Sequence, residues 1–137
     1  MDIARRFLDY AEAFETSYLD DNWSRLEDYF TEDAVYAGEP HAEGRNAVLQ
    51  KLQTAVHEFD QKMDCRILEL ETPQVDNNIV STAWTITYTK AGVPDLTISG
   101  TEKATFDGER IVYLEDILES EALATFQRWM GEHGSQI

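Results

Sequence analysis

Apolar residues recur at steps of three and four from the start of the chain. Ile3, Phe7, Tyr10, Ala11, Phe14 and Tyr18 share one helical stripe, with Arg5, Arg6, Asp9, Glu12 and Glu15 on the other side. Asp20-Asp21-Asn22 breaks the pattern. Trp23, Leu26, Tyr29 and Phe30 then form a shorter stripe, and Ser24-x-x-Glu27 has the spacing of a capping box, which predicts a second helix ending near Thr31–Asp33. A short strand over Ala34–Ala37 and the loop Gly38-Glu39-Pro40-His41 follow. Beyond Gly44, Val48, Leu52, Ala55 and Phe59 mark the buried side of a third helix, capped by Gly44 or Asn46.

After Asp60 the period changes from helical to strand-like. Cys65–Glu71 reads as a strand, and the stretch holding Pro73, Asp76, Asn77 and Asn78 as turns. Ile79–Thr89 is dense in β-branched and aromatic residues. Its large alternate positions, Val80, Thr82, Trp84, Ile86 and Tyr88, belong against the helices, because burial rewards that much aromatic area. Lys90–Asp95, with Gly92 and Pro94, reads as a loop. Thr97–Leu118 is a hairpin turning at Asp107-Gly108-Glu109. Ser120 then caps a closing helix that carries Leu123, Phe126, Trp129 and Met130 on one side and ends at Gly131. Helices followed by a run of strands indicate an α+β fold.

The hairpin register decides which residues share a face. A two-residue turn pairs Glu102 with Tyr113 and mixes polar with apolar on both faces. A three-residue turn pairs Ala104 with Val112, Glu102 with Leu114 and Gly100 with Asp116, which gathers Ile98, Ala104, Phe106, Val112, Leu114 and Leu118 together. The second is preferred, since a one-residue slip sends an apolar set to the wrong side. It leaves Glu102 and Asp116 diagonal to each other on an apolar face, where an unpaired carboxylate costs several kcal/mol unless protonated or paired. Gly100, opposite Asp116, leaves room for a cavity.

Composition narrows the class. A chain of 137 residues is most simply one domain, 1–137, able to bury roughly two thirds of its unfolded surface. Twenty-seven acidic against eleven basic residues give a formal charge of −16, which opposes binding to nucleic acid or anionic membrane. No apolar run reaches membrane-spanning length, and the N-terminus lacks the layout of a signal peptide. A lone cysteine, Cys65, fits a cytoplasmic location. His41, His57 and His133 have no metal-ligand spacing, so no metal is expected, and no nucleotide or nucleophile motif implies a cofactor.

The first-helix stripe, WSRLEDYFTEDAVY at 23–36, the Gly44-Arg45-Asn46-Ala47 helix entry and GTEKATFDGERIVYLED at 100–116 together resemble the nuclear transport factor 2-like superfamily, in its SnoaL-like and ketosteroid-isomerase-like branch. The resemblance implies a cone: a strongly curved antiparallel sheet wrapped around the N-terminal helices, enclosing an apolar pocket, with the last helix an extension. It also implies a homodimer. The superfamily holds isomerases, dehydratases, epoxide hydrolases, polyketide cyclases and proteins without catalysis, so fold alone selects none of them. Gly38 falls where the isomerases carry their aspartate base and Phe14 near their tyrosine donor. Only Glu102 matches, where they place a protonated acid.

These readings combine into one expectation: a pocket binding a small, largely apolar molecule without a cofactor. Glu102 and Asp116 are its candidate acid and base, and Phe14, Tyr36, Trp84, Tyr88, Leu114 and Leu118 its candidate ligand contacts. The competing assignment for the two acids is a structural ion pair with Arg66 or Lys103, or another register that leaves them in water. Glu39 is a candidate substitute base and His41 a candidate proton shuttle. A non-catalytic module dimerising through Ile111, Tyr113 and Ile117 is the alternative from another class.

Overall fold

The computed structural model describes residues 2–38 and 41–137. Helix α1 spans Ile3–Asp20, its first turn capped by the Asp2 carboxylate, which accepts from the Arg5 amide at 3.1 Å. It ends where Asp21 turns left-handed, with φ of 58°. Trp23–Tyr29 is a 3-10 helix instead of the expected α-helix. The capping box does not form: the Ser24 hydroxyl bonds Asn22 Oδ1 at 2.7 Å, away from the backbone amides. The tighter turn ends at Tyr29, so strand β1 starts early and runs Phe30–Ala37. After β2 (Ala42–Glu43), Gly44 leads into α2, Arg45–Glu58, whose buried face carries Val48, Leu49, Leu52 and Val56.

The remaining strands are β3 (Cys65–Leu70), β4 (Gln74–Asp76), β5 (Ile79–Lys90), β6 (Val93–Asp107) and β7 (Arg110–Leu118). They form one sheet in the order β2-β1-β7-β6-β5-β3, with β4 also paired to β5. All pairs are antiparallel except β1 with β7, which run parallel. The segment read as a loop over Lys90–Asp95 is mostly strand: Lys90 pairs with Val93 around Ala91-Gly92, and Gly92 supplies the φ of +89° that so tight a turn needs. The α+β cone with its extra C-terminal helix is the fold, with that single parallel pair added.

Neither expected hairpin register is adopted. The turn has two residues, Gly108 and Glu109, between paired Asp107 and Arg110, with Gly108 at φ +64°. Val112 is then an extra residue, since Phe106 faces Ile111 while Thr105 faces Tyr113. A two-residue turn matches the twist of the strands, and the bulge restores the inward phase that this turn alone would have lost. Glu102 therefore faces Asp116 directly, Ala104 faces Leu114, and Gly100 faces Leu118. Ile111, expected on an outer interface, is fully buried in the core in place of Val112. Tyr113 and Ile117 stay on the outside, 39% and 42% exposed.

Helix α3, Ala122–His133, is capped by neither Ser120 nor any other side chain, and Gly131 lies within it. Its terminal Gly134 keeps right-handed dihedrals, so no left-handed glycine stop forms. Phe126, Trp129 and Met130 pack inside the chain, against Phe59, Tyr88 and Leu96, and the Trp129 indole donates to the Pro94 carbonyl at 3.0 Å. This is the smaller of two buried clusters. The larger joins Phe7 and Tyr10 of α1 to Phe30, Val48, Leu52, Val80, Phe106, Ile111 and Leu114. A cavity separates them and is walled by members of both.

Candidate functional site

The cavity measures about 280 Å³. Strand alternation decides what it meets. On β5, β6 and β7 the inward residues align in rows, and Thr82, Glu102 and Asp116 form one of them. The next row is Trp84, Gly100 and Leu118. Space above Gly100 is taken by the Trp84 indole: a Cβ there would stand 2.7 Å from Trp84 Cζ2 and 2.6 Å from the Ile117 carbonyl. The glycine thus seats a tryptophan in the wall, and the hollow lies above that indole instead of at Gly100 itself.

Glu102 and Asp116 both line the cavity. Burial holds the Glu102 carboxyl well above the ordinary carboxylate range, and the neighbouring Asp116 charge and its hydrogen bond add to this, while Arg66 pulls weakly the other way. The accessibility Glu102 retains is to the cavity, whereas Asp116 is exposed where the cavity opens. Tyr36 on β1 donates its hydroxyl to Asp116 Oδ2 at 2.6 Å. Burial, then the two acids, push the Tyr36 phenol well above its usual value, so it remains a donor. Tyr10 on α1 is shifted the same way by burial and by the same acids. Lys51 on α2 places Nζ 3.9 Å over the Tyr36 ring and donates to the Ala37 carbonyl at 3.5 Å. A proton-holding carboxyl beside a phenol-bound carboxylate can give a proton on one side of a ligand and take one on the other.

A second polar group occupies another part of the wall. Arg66 Nε donates to Asp60 Oδ2 at 2.7 Å, and Nη1 donates to the Glu15 carboxylate. Tyr88 donates to the same Asp60 oxygen at 3.0 Å. Burial raises the Asp60 carboxyl, against the pull of Arg66 and Tyr88, and raises the Tyr88 phenol together with the Asp60 charge. Burial alone would depress Arg66, but Glu15 and Asp60 outweigh it and the guanidinium stays charged. These pairs bear on the ion-pair alternative, while the exposure of Asp116 meets the other one in part. Arg66 is taken by other acids and Lys103 is exposed on the opposite face, so neither forms an ion pair with Glu102.

Of the expected contacts, Phe14, Tyr36, Trp84, Tyr88 and Leu118 line the cavity with the two acids. Leu114 does not: paired to Ala104 and fully buried, it belongs to the packed core. His41 is exposed beside Glu43, 3.1 Å away, and is not part of the wall. Glu39 lies outside the described residues. Lys51, Asp60 and Glu15 were not singled out from sequence. Arg66 carried a readable signal, since it alternates with Leu68 and Leu70 on the inward side of β3.

A family model described as SnoaL-like domain matches residues 5–114. No curated protein matches the chain. Among solved structures, a nuclear transport factor 2-like protein of unknown function from Exiguobacterium sp. 255-15 superposes with a TM-score of 0.67 at 16% identity, covering 84% of this chain and 98% of that one. TerC co-crystallised with polyporic acid gives 0.67 at 12% identity, covering 92% and 98%. An LEH-like epoxide hydrolase from M. tuberculosis gives 0.65 at 13% identity, covering 97% and 98%. At such identities the likeness is one of fold.

Proposed function

The chain belongs to the SnoaL-like domain family, within the nuclear transport factor 2-like superfamily, and from that premise we propose that its cavity binds a small, largely apolar molecule and acts on it by cofactor-free acid–base chemistry. Isomerisation, cyclisation and dehydration are the reaction types this chemistry serves. The observation that carries the reading is the direct pairing of Glu102 with Asp116 on the cavity wall, with Tyr36 bonded to the second acid. Glu102 is the general acid, because its surroundings favour the protonated form. Asp116 is the base, oriented by the Tyr36 hydroxyl. Phe14, Trp84, Tyr88 and Leu118 hold the apolar body. The structural neighbours support small-molecule use of the fold, through the epoxide hydrolase and the polyporic acid complex.

The test begins with a thermal-shift screen for binders, followed by NMR or mass analysis of whether each is converted. Glu102→Gln and Asp116→Asn keep binding and lose conversion. If both variants convert normally, the acid–base assignment is wrong. A second reading, a non-catalytic carrier that dimerises, is favoured by the exposed apolar side chains of Tyr113 and Ile117 on the outer sheet face. Sedimentation of Tyr113→Asp tests it, and an unchanged dimer eliminates that surface. The single exposed thiol, Cys65, suits a reducing cytoplasm under either reading.

A further inference from the structure

Arg66 is the most deeply buried cation on the cavity wall, its side chain 6% exposed. Its planar head lies between the rings of Phe14 and Tyr18, with Cζ 5.4 and 5.5 Å from their centroids. A guanidinium has five N–H groups in a fixed fork. Among the described residues its hydrogen bonds use Nε, to Asp60, and Nη1, to Glu15. Nη2 has no acceptor there, and it is not among the buried unpaired atoms either. Two N–H donors are therefore left without a protein acceptor on a residue that lines the hollow also holding Glu102 and Asp116.

We propose that Arg66 is a ligand-anchoring residue, its Nη2 donating to an uncharged oxygen on the ligand, so that the molecule bound is apolar in the middle and carries a hydroxyl or carbonyl oxygen at each end. This rests on the ligand-binding reading of the cavity given above. The uncharged character follows from the charges around the donor. One guanidinium already faces two carboxylates, Glu15 and Asp60, while elsewhere on the wall Lys51 offsets Asp116. A carboxylate or phosphate at Nη2 would add a third negative charge around a single cation, with little water to screen the repulsion. A hydroxyl or ketone accepts the same hydrogen bond without that cost. The second oxygen meets the proton-holding Glu102. A cavity of about 280 Å³ lies at the small end of the range for ligand sites, which suits one or two fused rings.

Three probes decide it, titrated calorimetrically into the whole protein at pH 7: 2-naphthol, 2,6-dihydroxynaphthalene and 2-naphthoate. The second hydroxyl tightens binding by roughly 10- to 100-fold over 2-naphthol, the range expected for a hydrogen bond to a charged group. The naphthoate binds more weakly than 2-naphthol. In Arg66→Lys, which keeps the charge and loses the fork, the gain from the second hydroxyl shrinks to about threefold or less. The wild-type ranking stands by itself if that variant does not fold. Equal binding of the one- and two-hydroxyl probes overturns the anchor and leaves the cavity reading in place. Tighter binding of 2-naphthoate overturns the uncharged assignment. Failure of all three to bind removes both the anchor and the cavity reading beneath it.

Discussion

The Tyr36 hydroxyl sits 2.6 Å from Asp116 Oδ2, joining residues eighty positions apart. It links β1 to β7 at the mouth of the cavity and puts a neutral donor against the exposed member of the acid pair. Tyr36→Phe removes that donor and leaves the ring over which Lys51 lies. The expected stability cost is about 1 kcal/mol, modest because the bond is solvent-facing. Urea unfolding of the variant against wild type reads it, and an unchanged midpoint removes this bond from what supports the fold.

Glu102 gives a sign-specific dependence on pH. Its folded-state pKa lies above the unfolded value near 4.5. Its contribution to stability is therefore complete below about pH 4.5 and is lost as pH rises through the folded pKa. Glu102→Gln removes this penalty. The variant melts above wild type at pH 8, and the gap closes as pH falls toward 4.5. Each unit of upward shift corresponds to about 1.4 kcal/mol of the difference. A gap that instead widens toward acid places the charge elsewhere.

Arg66→Met leaves Glu15 and Asp60 buried or half-buried without their cation. The expected loss is about 3–5 kcal/mol in urea unfolding, since breaking one member of such a group strands the others. Adding Glu15→Gln and Asp60→Asn to that background restores most of it. A triple variant no more stable than Arg66→Met shows that the stacking of the guanidinium on Phe14 and Tyr18 matters more than its ion pairs.

The bulge in β7 is tested by two neighbouring truncations. Ile111→Ala opens the core and costs about 2–5 kcal/mol, whereas Val112→Ala, on the half-buried extra residue, costs about 1 kcal/mol. The reverse order, measured by urea unfolding, restores the register expected from sequence.

That register shows what the sequence could convey. The α1 stripe and the alternation of Val80, Thr82, Trp84, Ile86 and Tyr88 were legible because each repeats with a fixed period. A bulge has no such signature: nothing in Ile111-Val112-Tyr113 tells which residue is extra. The two acids were still found, because the expected pairing was off by two residues and a slip of two keeps every side chain on its face. Pro94 and Gly92 read as loop, yet the proline sits at the second position of β6, just past a two-residue turn. Arg66 and Lys51 escaped selection as site residues because a charged residue in a helix or strand is normally solvated. The packing of α2 over the sheet turns Lys51 inward, whereas Arg66 is inward by its alternation with Leu68 and Leu70 on β3.

The parallel pairing of β1 with β7 also dictates an order of assembly. Among the described residues, apart from the two-residue β2, the only strand beside β1 is one whose matching residues, Tyr113 to Glu115, come some eighty positions later. On the ribosome, the first strand has only β2 beside it until β7 has emerged, while the β5–β6–β7 meander zips locally. Docking of β1 onto β7 is then a late long-range event, as is the packing of α3 on Phe59, Tyr88 and Leu96. A nascent or truncated chain lacking β7 holds Tyr36 on a strand whose other edge is open to aggregation, without its link to the acid pair.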